Sequence, residues 1–312
     1  MNDVAILGSG FGLYGYLPSI EPSALGRVYL PNRYKDIFFS RPELKKIEEK
    51  IFWVDNENDA IKGASLVIIA LNPMNQERWV KTCLDLNNIN SLILEKPLAH
   101  NPDQAKLLLS DLLNSKKNFE IGYLFRYTRW GNMLINFFDN KIKINQLDRI
   151  EISWSFLAHH FLNNVDTWKK YHSDGGGVIR FFGIHLIALV SELGYTHVSI
   201  SKVNGHEANQ PSTWEAIFMS PLLPDCHIFL DTRSRSDSFS IKAIKHGTME
   251  SLCLLKNPFE IKILRDKYKN DLRISPIKRM IQALNEGMNA NKELRFLNAI
   301  ILWDRVEAST NL

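Results

Sequence analysis

The sequence predicts an α/β chain in two parts. Residues 1–120 read as a parallel sheet covered by helices, and residues 121–312 as an α+β part with a large, mostly antiparallel open sheet. Three observations carry this. Short apolar runs alternate with helical stretches up to about residue 120, the pattern of a parallel sheet buried on both faces. Beyond that point the strand-like runs follow one another with turn residues between them. A glycine-rich turn follows the first strand directly.

In the first part the apolar runs are Val4-Ala5-Ile6-Leu7, Arg27 to Leu30, Ser65 to Leu71 and Ser91 to Leu94. Between them Gln76 to Leu86 and Pro102 to Leu113 place Leu and Val at helical spacing, with Asn101 as a cap and Pro102 in the first turn. In the second part Arg149 to Phe156 alternates polar and apolar residues, as a half-buried strand does. Further strands are expected around Val198–Val203, Thr213–Met219, His227–Asp231, Phe239–Ile244 and Ile261–Leu264, joined as an antiparallel meander. Helices are expected over Val178–Leu193, Pro276–Asn289 and Leu294–Glu307.

Composition narrows the function classes. At ~100–200 residues per domain, 312 residues suit two domains. The 45% hydrophobic and 23% charged content is that of a globular chain and argues against general disorder. A net charge of +4 is too small for a dedicated nucleic-acid binder and suits an anionic small ligand. Cys83, Cys226 and Cys253 are widely spaced, so neither a disulfide framework nor a zinc site is expected, and a reducing, cytoplasmic setting follows. The first residues lack a signal-peptide pattern. The longest apolar run, Ala64 to Leu71, falls far short of the ~18 residues that span a bilayer, so no membrane partner is expected.

The turn Gly8-Ser9-Gly10-Phe11-Gly12-Leu13 sits between the first strand and a helix. Gly8 permits a tight turn, Gly10 lets the backbone approach a pyrophosphate, and the helix start supplies amide donors. This is a Rossmann dinucleotide signal, with Leu13 in place of the usual third glycine. After the second strand the chain reads Leu30-Pro31-Asn32-Arg33, with no carboxylate before Asp36. An acid there would bind ribose hydroxyls, whereas Asn32 and Arg33 suit a 2′-phosphate, which favours NADP(H) over NAD(H). Strand four ends Leu94-Glu95-Lys96-Pro97, placing a lysine on the sheet edge where ligands bind. Asp174-Gly175-Gly176-Gly177 leads into the helix that carries His185. His159-His160 lacks further ligands at metal-binding spacing, so no metal is expected.

In order along the chain these elements resemble the Gfo/Idh/MocA oxidoreductases, the family of glucose–fructose oxidoreductase and inositol dehydrogenase. The likeness runs from the glycine turn and Tyr14-Gly15-Tyr16-Leu17-Pro18, through Leu66–Leu71 with Asn72-Pro73, to Glu95-Lys96-Pro97-Leu98-Ala99. It continues through Gly122-Tyr123, Arg126 and Trp168 to Gly183-Ile184-His185. The resemblance implies a Rossmann domain, a second domain with an open sheet through which copies associate as dimers or tetramers, and a nicotinamide cofactor. It implies hydride transfer to or from a hydroxyl or keto carbon, often on a sugar or sugar-nucleotide. By position it makes Lys96 and His185 the catalytic pair. Gly8 to Leu13, Asn32, Arg33, Leu71, Asn72, Glu95 and Lys96 would line the cofactor, and Lys96, Tyr123, Arg126, Trp168, Arg180, Phe181 and His185 the substrate. Three positions depart from the pattern. The aspartate usual four residues before the histidine is Phe181, the acid three residues after it is Ala188, and a histidine after strand three is Gln76. Arg180 could supply the missing charge. The alternatives are a dinucleotide-binding protein with altered or lost turnover, or an imine or enone reductase on the same scaffold.

Overall fold

The computed structural model of this chain describes residues 2–205, 207–259 and 271–310. The strand expected over Ile261–Leu264 and the mixed-charge run 265–269 lie outside them. The chain forms two compact units. The first comprises Met1–Ala99, Leu107–Leu124 and Ile261–Asn289, and the second His100–Lys106, Phe125–Glu260 and Ala290–Leu312.

The first unit is built on six strands: β1 (Asn2–Leu7), β2 (Leu25–Pro31), β3 (Ile51–Val54), β4 (Leu66–Ile69), β5 (Ser91–Leu94) and β6 (Asn118–Ile121). They pair in parallel in the order β3-β2-β1-β4-β5-β6. The order reverses between β1 and β4, so the crevice at their carboxyl ends is the ligand position of such a sheet. Every residue of β4 is buried, as in a sheet covered on both faces. β3 and β6 are not among the strands expected from the sequence. β3 is four residues long after a Lys/Glu-rich stretch, and the apolar run of β6 is broken by Glu120, which is nonetheless buried. Helices that flank these strands include α1 (Glu57–Lys62), α2 (Pro73–Leu84) and α3 (Pro102–Asn114). Asn72 caps α2 by accepting from the Asn75 amide at 2.9 Å, and Asn101 does the same for α3 from the Gln104 amide.

The expected helix after the glycine turn is shorter than the motif suggests. Gly12–Tyr16 forms one π-helical turn and Leu17–Ser19 a 3₁₀ turn. Pro18 has no amide to give an α-helical ladder, which accounts for the break.

The second unit carries six strands: β7 (Arg149–Leu157), β8 (His197–Gly205), β9 (Pro211–Ser220), β10 (Leu223–Asp231), β11 (Arg233–Lys245) and β12 (Thr248–Leu255). Their order is β12-β11-β7-β10-β9-β8. The sheet is mostly antiparallel, but it is not a simple meander: β7 and β10 run parallel from Arg149↔Asp225 to Ser155↔Asp231. The long connection between these two strands carries helical segments and the strands β8 and β9, which gives the chain the crossover that parallel pairing requires. Alternation gives the buried face: Ile150, Ile152 and Trp154 on β7, Trp214, Ala216 and Phe218 on β9, and Cys226, Ile228 and Leu230 on β10. The stretch expected as one helix over Val178–Leu193 is a π-helical segment, Val178–Gly183, followed by α4 (Ile184–Glu192). In the first unit α5 (Ile274–Asn285) packs on β6 and on the turns of residues 12–19, and in the second α6 (Ala290–Ala308) packs on α4 and β8. Among the described residues no helix is long and apolar enough to cross a membrane, and no three His, Cys, Asp or Glu side chains gather as metal ligands.

Candidate dinucleotide and substrate sites

The glycine turn is built for close approach. Gly8 has φ +121°, and a Cβ there would meet the Ala70 carbonyl oxygen at 2.2 Å, so only glycine fits. Gly10 is different: it is exposed, and a Cβ there would meet nothing within 4 Å. No protein atom demands glycine at position 10, and the open space over its backbone is the cradle a pyrophosphate needs. Ser9 is half-buried beside it, and Gly12 and Leu13 point into the core. Phe11 packs edge-on against Tyr14 and Tyr16, and its ring carries the Arg273 guanidinium at 3.9 Å. Arg273 is itself gripped by Asp271, Nε to Oδ1 at 2.8 Å and Nη2 to Oδ2 at 2.7 Å. A half-buried cation beside the glycine turn is thus contributed from residue 273, which no sequence motif marks.

Beyond β2 the two candidate phosphate-binding side chains each meet a carboxylate from the next connection. Asn32 Nδ2 donates to Asp55 Oδ1 at 3.2 Å, and Arg33 is ion-paired with Glu57 in the first turn of α1. Tyr34 is buried, accepts from the Gly8 amide at 2.9 Å and donates to Glu57 Oε1 at 3.0 Å. Burial, reinforced by the Glu57 carboxylate, raises the Tyr34 pKa, so its hydroxyl keeps its proton. At the end of β4, Leu71 is half-buried and the Asn72 side chain is spent on capping α2.

The Glu95-Lys96-Pro97 loop, whose Lys96–Pro97 peptide is cis, is held from two sides. Tyr16 donates its hydroxyl to Glu95 Oε1 at 2.7 Å, and burial followed by that carboxylate raises the Tyr16 pKa well above the usual range. Gln76, fully buried, accepts the Glu95 amide at 2.9 Å and donates to the carbonyls of Glu95, Pro97 and Leu98 at 2.7, 3.1 and 3.1 Å. The residue that departs from the family pattern is therefore the clamp that positions the loop of Lys96. Lys96 is 9% exposed at the carboxyl edge of the sheet. Tyr123, past the end of β6, is buried with a hydroxyl that has no partner among the described residues, and burial raises its pKa.

In the second unit His185 lies in the first turn of α4, 4% exposed and stacked on Phe125 at 5.0 Å. Phe181 meets Trp168 edge-on at 5.3 Å and Phe182 at 4.7 Å, with Lys169 over its ring at 5.2 Å. The expected substrate residues Trp168 and Phe181 are thus brought together as an aromatic wall. Phe182 extends it toward Phe156 and His160. Burial, then the nearby Lys169 and Lys170, lowers the pKa of His160 to about 4, so the ring is neutral at pH 7.

The two arginines are each paired with a glutamate. Arg180 grips Glu307 through Nε and Nη2, both at 2.9 Å, and gives Nη1 to the carbonyls of His100 and His172 at 2.8 Å. Its charge is paired with Glu307 inside the unit. Burial works to raise the Glu307 pKa, but the hydrogen bonds from His172 and Arg180 outweigh it and hold the carboxyl at about 2. Arg126 is paired with Glu192 at 2.6 Å.

The sequence matches no family model and no curated protein. The structure, by contrast, matches solved proteins along almost its whole length. GenD2 from gentamicin A biosynthesis, solved with NAD, aligns at TM-score 0.74 and 12% identity over 98% of this chain and 93% of its own. A myo-inositol dehydrogenase from Corynebacterium glutamicum aligns at 0.71 and 10% identity over 99% and 96%. KijD10, a 3-ketoreductase from Actinomadura kijaniata solved with NADP and TDP-benzene, aligns at 0.70 and 12% identity over 99% and 97%.

This is the Gfo/Idh/MocA oxidoreductase fold.

Within the Gfo/Idh/MocA fold, the chain keeps an open glycine turn and a buried lysine at the β5 edge. It puts an aromatic wall where the family pattern has a carboxylate.

Proposed function

We propose that the chain is an NAD(P)-dependent oxidoreductase that transfers hydride between nicotinamide and a hydroxyl or keto carbon of a sugar or sugar-nucleotide. The first unit holds the dinucleotide and the second contributes the substrate wall. The observation that carries the reading is Gly10: its glycine is required by nothing in the protein and leaves the turn open at the pyrophosphate position of a Rossmann sheet. Gly8 to Leu13 form the turn, with Leu71, Asn72, Glu95 and Lys96 along the neighbouring strand ends. Asn32 and Arg33 favour NADP(H). Bound nicotinamide would supply the hydride chemistry, and the chain supplies orientation and proton transfer.

In this reading Lys96 hydrogen-bonds the reacting oxygen of the substrate, and His185 takes or gives its proton. Such positioned acid–base catalysis contributes roughly 10²–10⁴ in rate. In the second unit the aromatic wall of Trp168 and Phe181 gives an apolar surface for a sugar ring face. Arg126 and Arg180 are held by ion pairs with Glu192 and Glu307. The test is turnover, followed by nicotinamide absorbance, against a panel of sugars and sugar-nucleotides. Tight cofactor binding with no turnover on any of them would favour the second reading, a catalytically altered dinucleotide-binding protein. Phe181 favours that second reading, since it places a ring where a carboxylate is expected. The open face of the second sheet exposes Ile200, Met219 and Phe229, which supports association of copies into dimers or tetramers.

A further inference from the structure

We infer that Glu57 sets the discrimination between a ribose 2′-hydroxyl and a 2′-phosphate in the dinucleotide site, an inference that rests on the dinucleotide-binding reading above. In a Rossmann sheet the adenosine ribose lies beyond the end of β2, where an acid of that strand reads its hydroxyls. Here β2 ends in Pro31-Asn32-Arg33-Tyr34 and supplies no acid. The carboxylate arrives instead from the next connection, in the first turn of α1. It is fixed to the glycine turn itself: the Gly8 amide donates to the Tyr34 hydroxyl at 2.9 Å, which donates to Glu57 Oε1 at 3.0 Å.

The two members of the Arg33–Glu57 pair are held unequally. The Glu57 side chain is 13% exposed and has two partners, whereas the Arg33 side chain is 66% exposed and reaches Glu57 from solvent. The carboxylate is therefore the anchored charge and the guanidinium the adjustable one. A 2′-hydroxyl can donate to Glu57. A 2′-phosphate is repelled by it, and gains Arg33 only if the guanidinium exchanges one anion for another. Asp55, bonded to Asn32, adds a second negative charge on the same edge. Arg33 supplies phosphate affinity and Glu57 limits it, so a site that looks made for NADP(H) on β2 alone is brought back toward accepting both dinucleotides.

The test is direct binding of NADPH and NADH, by nicotinamide fluorescence or calorimetry, to the wild-type chain, Glu57→Gln and Arg33→Ser. Glu57→Gln keeps an acceptor for Tyr34 and removes the charge. It should tighten NADPH about tenfold, leave NADH equal or up to about threefold weaker, and so shift the ratio of the two Kd values by tenfold or more. Arg33→Ser leaves the carboxylate unopposed and should weaken NADPH about tenfold with NADH unchanged. An unchanged ratio in folded Glu57→Gln, or unchanged NADPH affinity in Arg33→Ser should the first variant fail to fold, overturns the role of Glu57. Binding of neither dinucleotide by the wild-type chain overturns the dinucleotide reading itself and this inference with it.

Discussion

Glu307→Gln is the sharpest test of how the second unit holds its own site. The carboxylate receives both arms of Arg180, the His172 ring at 2.9 Å and the Trp303 indole at 2.9 Å, with its side chain 12% exposed. Its pKa falls from an ordinary 4.5 to about 2. At ~1.36 kcal/mol per pKa unit this is about 3 kcal/mol in favour of the charged form in the folded state. Low exposure means little of it is lost to solvent screening. Breaking a buried pair by removing one charge costs about 3–5 kcal/mol, and glutamine, which keeps one acceptor, belongs at the lower end. The assay is thermal or urea unfolding of wild type and variant, read by tryptophan fluorescence, to which Trp303 contributes directly. At roughly 2–4 °C per kcal/mol, Tm should fall by about 6–12 °C at pH 7. The pH dependence has a fixed sign. For an acid with a depressed folded pKa, the contribution is complete above about 4.5 and is lost as pH falls toward 2, so wild type and variant should converge over that window. A variant as stable as wild type at pH 7, or a stability gap that persists undiminished to pH 2, would refute the ion-pair account.

Three further outcomes follow from the first unit. Gly10→Val should leave the unfolding free energy within about 1 kcal/mol of wild type, because its Cβ meets nothing, yet weaken dinucleotide binding at least tenfold; unaltered affinity by titration would remove Gly10 from the site. Lys96→Ala should lower kcat by roughly 10²–10⁴ with little effect on cofactor Kd, and steady-state kinetics showing equal turnover would end its catalytic role. Gln76→Leu leaves the Glu95 amide and three carbonyls without their clamp, so it should cost about 1–3 kcal/mol in urea unfolding and reduce kcat. Wild-type behaviour in both measurements would make Gln76 incidental.

Much of this was legible in the residues. The β1 turn, the β4 and β5 strands, the capped start of α3 and the change of pattern near residue 120 all come from local periodicity and turn chemistry, which a linear sequence displays. The elements that escaped are those whose identity is decided elsewhere. β6 contains Glu120, a residue that polarity places outside and the fold places inside. The parallel pairing of β7 with β10 depends on a long connection that no local pattern records. In the site, the glycine turn and Lys96 were visible because they lie in motifs. Gln76 was visible only as a departure, since its four hydrogen bonds reach residues about twenty positions away. Glu57 and Arg273 were not visible at all, because what ties them to the glycine turn, Tyr34 for Glu57 and the Phe11 ring for Arg273, lies far from them in the chain. Arg180 was visible as a charge, but its partner Glu307 lies 127 residues on, so its commitment could not be read.

The central claim, that the first unit is a dinucleotide site, is tested most directly by titrating NADPH and NADH into the wild-type chain and following nicotinamide fluorescence. Saturable binding of one dinucleotide per chain is the predicted result. No binding of either up to millimolar concentration would contradict it.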